Sequence, residues 1–237
     1  MRYLYRKIST ILLILKTDNN TQMLFPTTKT NASQILSRAL LFFALISYIN
    51  ISDLFAQTNC DEPVAYYLTV ESSVPATTAG TTYRFYVNML NPTDQMSAVF
   101  GNNETNLIVN TPSGAYNSSV NSSWSAAGIN PAFLPFFPEM ADDTYATIGL
   151  TGPASEMEGA ADPSLVEDVN QTISPYFLTD GATGLLSSTT IGASWYVLNG
   201  AANGLPDSDM RVLVLQVTTE GSISGTINYQ VFPLGEG

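Results

Sequence analysis

From Ile223 to Val231 the chain alternates strictly. Ile223, Gly225, Ile227, Tyr229 and Val231 fall on one side of an extended backbone, and Ser224, Thr226, Asn228 and Gln230 on the other. Side chains of a strand point to opposite faces in turn, so a two-residue period marks a half-buried β-strand and does not fit a helix. The same period runs through Thr81–Leu90, with Tyr83, Phe85, Val87 and Met89 on one face and Arg84, Tyr86 and Asn88 on the other. Val212–Leu215 and Val217 are apolar on both faces, the pattern of a strand buried between layers. Glu220-Gly221-Ser222 separates the last two strands and predicts a hairpin. Shorter strands are expected at Val64–Val70, Met96–Phe100, Leu107–Val109, Tyr145–Leu150 and Ala193–Leu198, with turn formers such as Pro75–Gly80, Asn91–Asp94 and Asn203-Gly204 between them. One helical turn is expected over Ser164–Asp168, with Asp162 as cap and Pro163 in first position. These signals predict an all-β fold: an antiparallel β-sandwich with long loops and at most one short helix. An open barrel is the alternative.

Charge divides the chain. Six of its eight basic residues precede Gln57; after it Arg84 and Arg211 face eighteen acidic residues, a formal charge of −16 with no lysine. The basic start leads into an apolar run, Ala39–Ile49, behind Lys29 and Arg38, and Ala56 offers a small residue for cleavage. This is the grammar of a secretory signal. The run is shorter than the roughly 20 apolar residues a membrane-spanning helix needs. Residues 1–56 therefore read as a signal region and residues 57–237 as a single β-sandwich domain, secreted or held at the cell surface. A second apolar stretch, Ile8–Leu15, follows Arg6 and Lys7; with Met23 as an alternative start, residues 1–22 become an upstream extension. The lone Cys60 forms no internal disulfide and reads as a free thiol.

Several chemistries lack their atoms. There is no histidine, which removes the Ser-His-Asp and Cys-His nucleophile systems and imidazole zinc sites. Without lysine after Gln57, Schiff-base chemistry and the phosphate-loop lysine are gone from the mature part. The acidic balance argues against nucleic acid and anionic lipid, both of which are bound through Lys and Arg. A pair of carboxylates acting on sugar polymers is the catalytic route that remains. The expectation is a protein that is not an enzyme.

Candidate sites each have two readings. Glu139, Asp142 and Asp143 cluster before the Tyr145 strand, and Asp207 and Asp209 precede Arg211. The preferred reading is loop carboxylates that cap turns; the alternative is calcium, held by Asp142, Asp143, Asp207 and Asp209, with no other cofactor expected. Arg84 and Arg211 are expected to pair with carboxylates. Trp124 lies in a Ser/Asn-rich stretch and is the better candidate for stacking on a sugar, joined by Tyr116, whereas Trp195 sits in a strand-like run and reads as core. Pro131–Pro138 carries Phe133, Phe136 and Phe137 on a proline-stiffened segment. It either packs down on the sandwich or forms an exposed apolar lip.

Three stretches, Thr81–Gly101, Asp142–Leu150 and Ala193–Gly235, resemble an uncharacterised β-rich extracellular domain found in large secreted or surface proteins of marine Bacteroidota. The signal ending Phe55-Ala56-Gln57 is similar to those of that phylum. The resemblance implies an extracellular module and carries no activity with it. A structural or adhesive module with an extracellular protein or glycan partner is the expected function, and a carbohydrate-binding module is the alternative. A carboxylate-dependent glycosidase comes third.

Overall fold

The computed structural model describes the backbone of residues 5–13 and the whole of residues 66–237. The run 39–49, the cleavage point after Ala56 and Cys60 lie outside the described residues. In chain order the strands are β1 (Tyr5–Leu13), β2 (Leu68–Ser73), β3 (Thr81–Asn88), β4 (Gln95–Gly101), β5 (Leu107–Ala115), β6 (Tyr145–Ala146), β7 (Ser164–Glu167), β8 (Ala182–Ser187), β9 (Ala193–Tyr196), β10 (Arg211–Thr219) and β11 (Ile223–Phe232). One four-residue helical turn, α1 (Pro175–Leu178), precedes β8. The chain is all-β, and its paired strands are antiparallel in two sheets.

The four-stranded sheet runs β2-β3-β10-β6. In the seven-stranded sheet, β1 pairs with β11 from Leu13↔Ile223 to Tyr5↔Val231 and so occupies one whole edge of it. β4 and β5 therefore lie end to end on the other edge, β4 opposite Asn228–Phe232 and β5 opposite Ser224–Thr226. β9 and β8 continue the same arrangement outside them, with β7 beyond β9. Asn228 closes the gap where the chain leaves the sheet between β4 and β5. Its Nδ2 donates to the carbonyls of Phe100, Thr105 and Asn106 at 3.1, 3.1 and 3.0 Å.

The alternating residues do what their period requires. Tyr83, Phe85, Val87 and Met89 enter the core between the sheets, where they meet Ile223, Ile227, Tyr229 and Val231. Trp195 of β9 is 0 % exposed and crosses that core. Its Nε1 donates to the carbonyls of Thr147 and Val214, both at 3.2 Å. Val214 is the extra residue where the β10–β3 register shifts between Leu213 and Leu215. Bulged residues leave the ladder, and the Val214 carbonyl instead accepts the Thr147 N–H at 3.1 Å and the indole. On the outer face of the four-stranded sheet, the stretches before and after β6 add a further apolar cluster. Ala126, Ile129 and Leu150 bury Tyr86, Tyr145 and Leu213 there.

Three expectations are corrected. β10 and β11 are not a hairpin: they belong to different sheets, and residues 220–222 carry the chain between them. β3 takes one edge of β10 along its length, while β6 and the Tyr116 and Thr147 amides take the other, so β11 has no edge left to join. The turn expected over Ser164–Asp168 is instead strand β7, paired with β9 from Ser164↔Tyr196 to Glu167↔Ala193. A single helical turn pays the full nucleation cost for few bonds, whereas the ladder with β9 satisfies the backbone and sets Leu165 opposite Trp195. Among the described residues the α-helical turn follows Ser174, with Pro175 in first position, and the other helical turns are short 3-10 segments. The Glu167 carboxylate accepts the Ile173 and Ser174 amides at its start, at 2.7 and 2.9 Å. Third, the strand expected at Tyr145–Leu150 pairs in a ladder only at Tyr145 and Ala146.

Candidate functional site

Asp142 and Asp143 are adjacent, but each turns to its own set of partners. Both are buried, 2 % and 1 % exposed. The Asp142 carboxylate accepts the amides of Ala76, Thr77 and Thr78 and both threonine hydroxyls, which pins the loop between β2 and β3. Burial raises its pKa, but the three amides and the Thr77 hydroxyl outweigh burial and hold the carboxyl below its ordinary value. The Asp143 carboxylate accepts the Ser118 amide at 2.7 Å and the Asn121 side-chain amide. Here burial wins and pushes the carboxyl up to about 7, against hydrogen bonds from Asn121, Ser118 and Thr144 that pull it down.

Asp207 and Asp209 sit elsewhere, around Arg211. Asp209 Oδ2 is 3.3 Å from Arg211 Nη2, Asp207 Oδ2 is 3.8 Å from Nε, and Glu71 meets Nη1 from β2. The guanidinium carbon lies 4.2 Å from the centre of the Tyr86 ring. Asp207 Oδ1 also accepts the amides of Asp209 and Arg211, both at 2.9 Å. Arg211 thus pairs with carboxylates as expected, whereas Arg84 donates from Nε to the Gln216 amide oxygen at 2.8 Å. Among the described residues no group of three or more His, Cys, Asp or Glu is arranged to hold a metal ion. Because Asp142 and Asp143 are engaged by amides and Asp207 and Asp209 by Arg211, chelation is expected to leave the melting temperature unchanged; a drop on adding EDTA, reversed by calcium, would show that an ion is bound.

The two aromatic candidates are not brought to one surface. Trp124 is only half-exposed and packs against the main core. Tyr116 lines an open hollow of about 350 Å³ between Thr78, Ala79, Gly114, Asp180, Thr219 and Glu220, and Trp124 is not part of its wall. Burial raises the Tyr116 hydroxyl above its ordinary pKa, and the charges of Glu139, Asp143 and Asp180 add to the rise against a hydrogen bond from Ser118. The phenol stays neutral at physiological pH and can donate to a ligand oxygen. Asp180 and Glu220 were not singled out in the sequence because each stands before a glycine, as turn residues do, and nothing in the spacing shows that the fold brings them to one hollow.

The phenylalanine segment adopts the exposed alternative. Phe136 is 76 % exposed, with Phe133 at 51 % and Phe137 at 41 %. Leu134 alone of Phe133–Phe137 packs inward, against the outer layer. The amides of Phe136 and Phe137 both donate to the Phe133 carbonyl at 2.9 Å, which closes the segment into a turn.

Two antiparallel sheets around one apolar core, with a capping layer and an exposed aromatic lip, define a β-sandwich module. No protein-family model, curated protein or solved structure matches the chain.

Proposed function

We propose that the chain is a secreted, non-enzymatic extracellular module that binds a protein partner in a structural or adhesive role. The observation that carries this reading is the lip of Phe133, Phe136 and Phe137, left in solvent although Phe85 and Phe177 are buried and Phe100 and Phe232 half-buried. An exposed cluster of large apolar rings costs solubility, and such patches mark interaction sites. Aromatic side chains on a stiff loop supply contact area at little entropic cost. The absence of histidine, and of lysine after Gln57, points the same way, as does the resemblance to extracellular domains of marine Bacteroidota.

A second reading rests on the hollow, where Tyr116 stands near Asp180 and Glu220. Its volume lies in the range of small-ligand pockets, which suits a sugar. The test is an array of immobilised extracellular proteins and polysaccharides, probed with the chain. Binding to protein surfaces is expected to fall about tenfold or more in a Phe133→Ser/Phe136→Ser/Phe137→Ser variant, with its melting temperature unchanged. Glycan binding lost on Tyr116→Ala but kept in the triple variant would replace this reading with the carbohydrate one. Release of reducing ends, abolished by Asp180→Asn or Glu220→Gln, would make the chain a glycosidase.

A further inference from the structure

We infer that the outer edge of β11 is a strand-acceptor site, filled in this structure by the chain's own β1 and, once residues 1–56 are removed, open to a basic, apolar, extended segment of another polypeptide. This rests on the reading of residues 1–56 as a removable leader.

The pairing is long and regular. Nine residues of β1 run antiparallel to β11 without a register shift. When β1 leaves, the backbone groups of β11 on that side lose their partners, because β4 and β5 occupy the opposite edge. Proteins protect a lasting sheet edge with charge, proline or a bulge, since unpaired strand backbone is a template for another chain. β11 has none of these protections. No charged residue occurs from Gly221 to Gly235, and Pro233 follows the strand rather than interrupting it. In strand addition the main-chain ladder itself supplies affinity.

Charge selects the occupant. The chain from Gln57 onward carries −16, and the strand seated on it contains Arg6 and Lys7. A cationic strand is attracted to such a domain, whereas a second copy would bring two strongly negative bodies edge to edge.

The test uses the full chain and a fluorescein-labelled peptide of residues 5–13. Successive amides of β1 point to opposite edges, so Ser9→Pro/Thr10→Pro together remove the donor that faces β11 and free the edge; Ile11→Pro/Leu12→Pro serves if that variant does not melt cooperatively. The wild-type chain is expected to bind the peptide at least about a hundredfold more weakly than the proline variant, because its tethered β1 competes at an effective concentration near millimolar. Peptides N-methylated on residues 6, 8, 10 and 12, or on 7, 9 and 11, separate a ladder from apolar sticking: one set must abolish binding and the other spare it. Equal binding to both chains, no binding to the variant, equal effects of the two methylated sets, or a variant that dimerises instead of binding peptide would each overturn the acceptor site. Hydrogen exchange on the wild-type chain requires no substitution: rapid exchange at every second amide of Ile223–Val231 would also overturn it. The leader reading is tested separately, by the mass of the exported chain. If that chain retains residues 5–13 the leader reading fails, while the peptide measurement still reports on the edge.

Discussion

Trp195→Ala is expected to lower stability by about 3–5 kcal/mol, the range for removing a buried tryptophan from a core that cannot collapse into the space. For a domain of this size the loss corresponds to a fall in melting temperature of roughly 10 °C or more. Trp195 is fully buried, its ring meets Phe177 edge to face at 6.0 Å, and its indole N–H reaches two carbonyls of the segments opposite. It therefore stabilises in two separable ways, by filling volume and by tying β9 of one sheet to the β10 bulge of the other. Trp195→Phe separates them. It keeps much of the apolar volume but deprives the Thr147 carbonyl of the indole, while the Val214 carbonyl retains the Thr147 amide. The expected cost is about 1–3 kcal/mol, that of a buried polar group losing its partner. Urea unfolding of the three chains measures both. Equal losses for the two variants would mean that the hydrogen bonds, not the packing, join the sheets.

How far the sequence discloses this arrangement depends on what each element relies on. Where one face is wet or lightly covered and the other meets the core, the two-residue period is visible, and β3 and β11 stand close to where the alternation places them, while β10 stands where a run apolar on both faces predicts a strand between layers. Trp195 as core was legible for the same reason. The partners of those strands were not legible, because period says which face is buried and not which edge is paired. The three-residue link 220–222 has the length of a hairpin turn, and only the prior claims of β3, β6 and the neighbouring amides on β10 send β11 to the other sheet. β7 and β8 were missed because each is short and mixed in character, held by a neighbour's open ladder rather than by its own propensity. The residues of β1 read as part of a signal region or of an upstream extension, since a basic start before an apolar run satisfies that pattern whether or not it also pairs with a strand. At the candidate sites the sequence showed clustered carboxylates but not their direction. Asp142 and Asp143 are spent on backbone amides and Asn121, and the two acids of the hollow come from turns far apart in the chain.

Gln216→Leu is expected to cost about 3–5 kcal/mol, although it places a more apolar side chain on a buried strand. Gln216 is 0 % exposed, and both ends of its amide are fully engaged on the outer face of the four-stranded sheet. Its oxygen accepts Arg84 Nε at 2.8 Å and the Tyr145 hydroxyl at 3.2 Å; its nitrogen donates to the carbonyls of Ala141 and Asp143 at 3.0 and 2.8 Å. A fully satisfied buried amide contributes modestly by itself, but its removal deprives the buried Tyr145 hydroxyl and Asp143 carbonyl of this partner, at about 1–3 kcal/mol for each buried group, and takes a bond from the half-buried Arg84 and Ala141. Relaxation of the layer and entry of water keep the total below the sum of these costs. Tyr145→Phe removes one bond of the same hub and is expected to cost about 1 kcal/mol. Because Gln216 holds the backbone of residues 141–143 against β10, its loss is expected to speed hydrogen exchange in that segment and in the loop that Asp142 pins at residues 76–78, while β11 in the other sheet stays protected. Denaturation and exchange on the two variants test this. A cost below about 1 kcal/mol for Gln216→Leu would mean that apolar burial of Tyr86, Tyr145 and Leu213, and not the amide, fastens the outer layer to the sandwich.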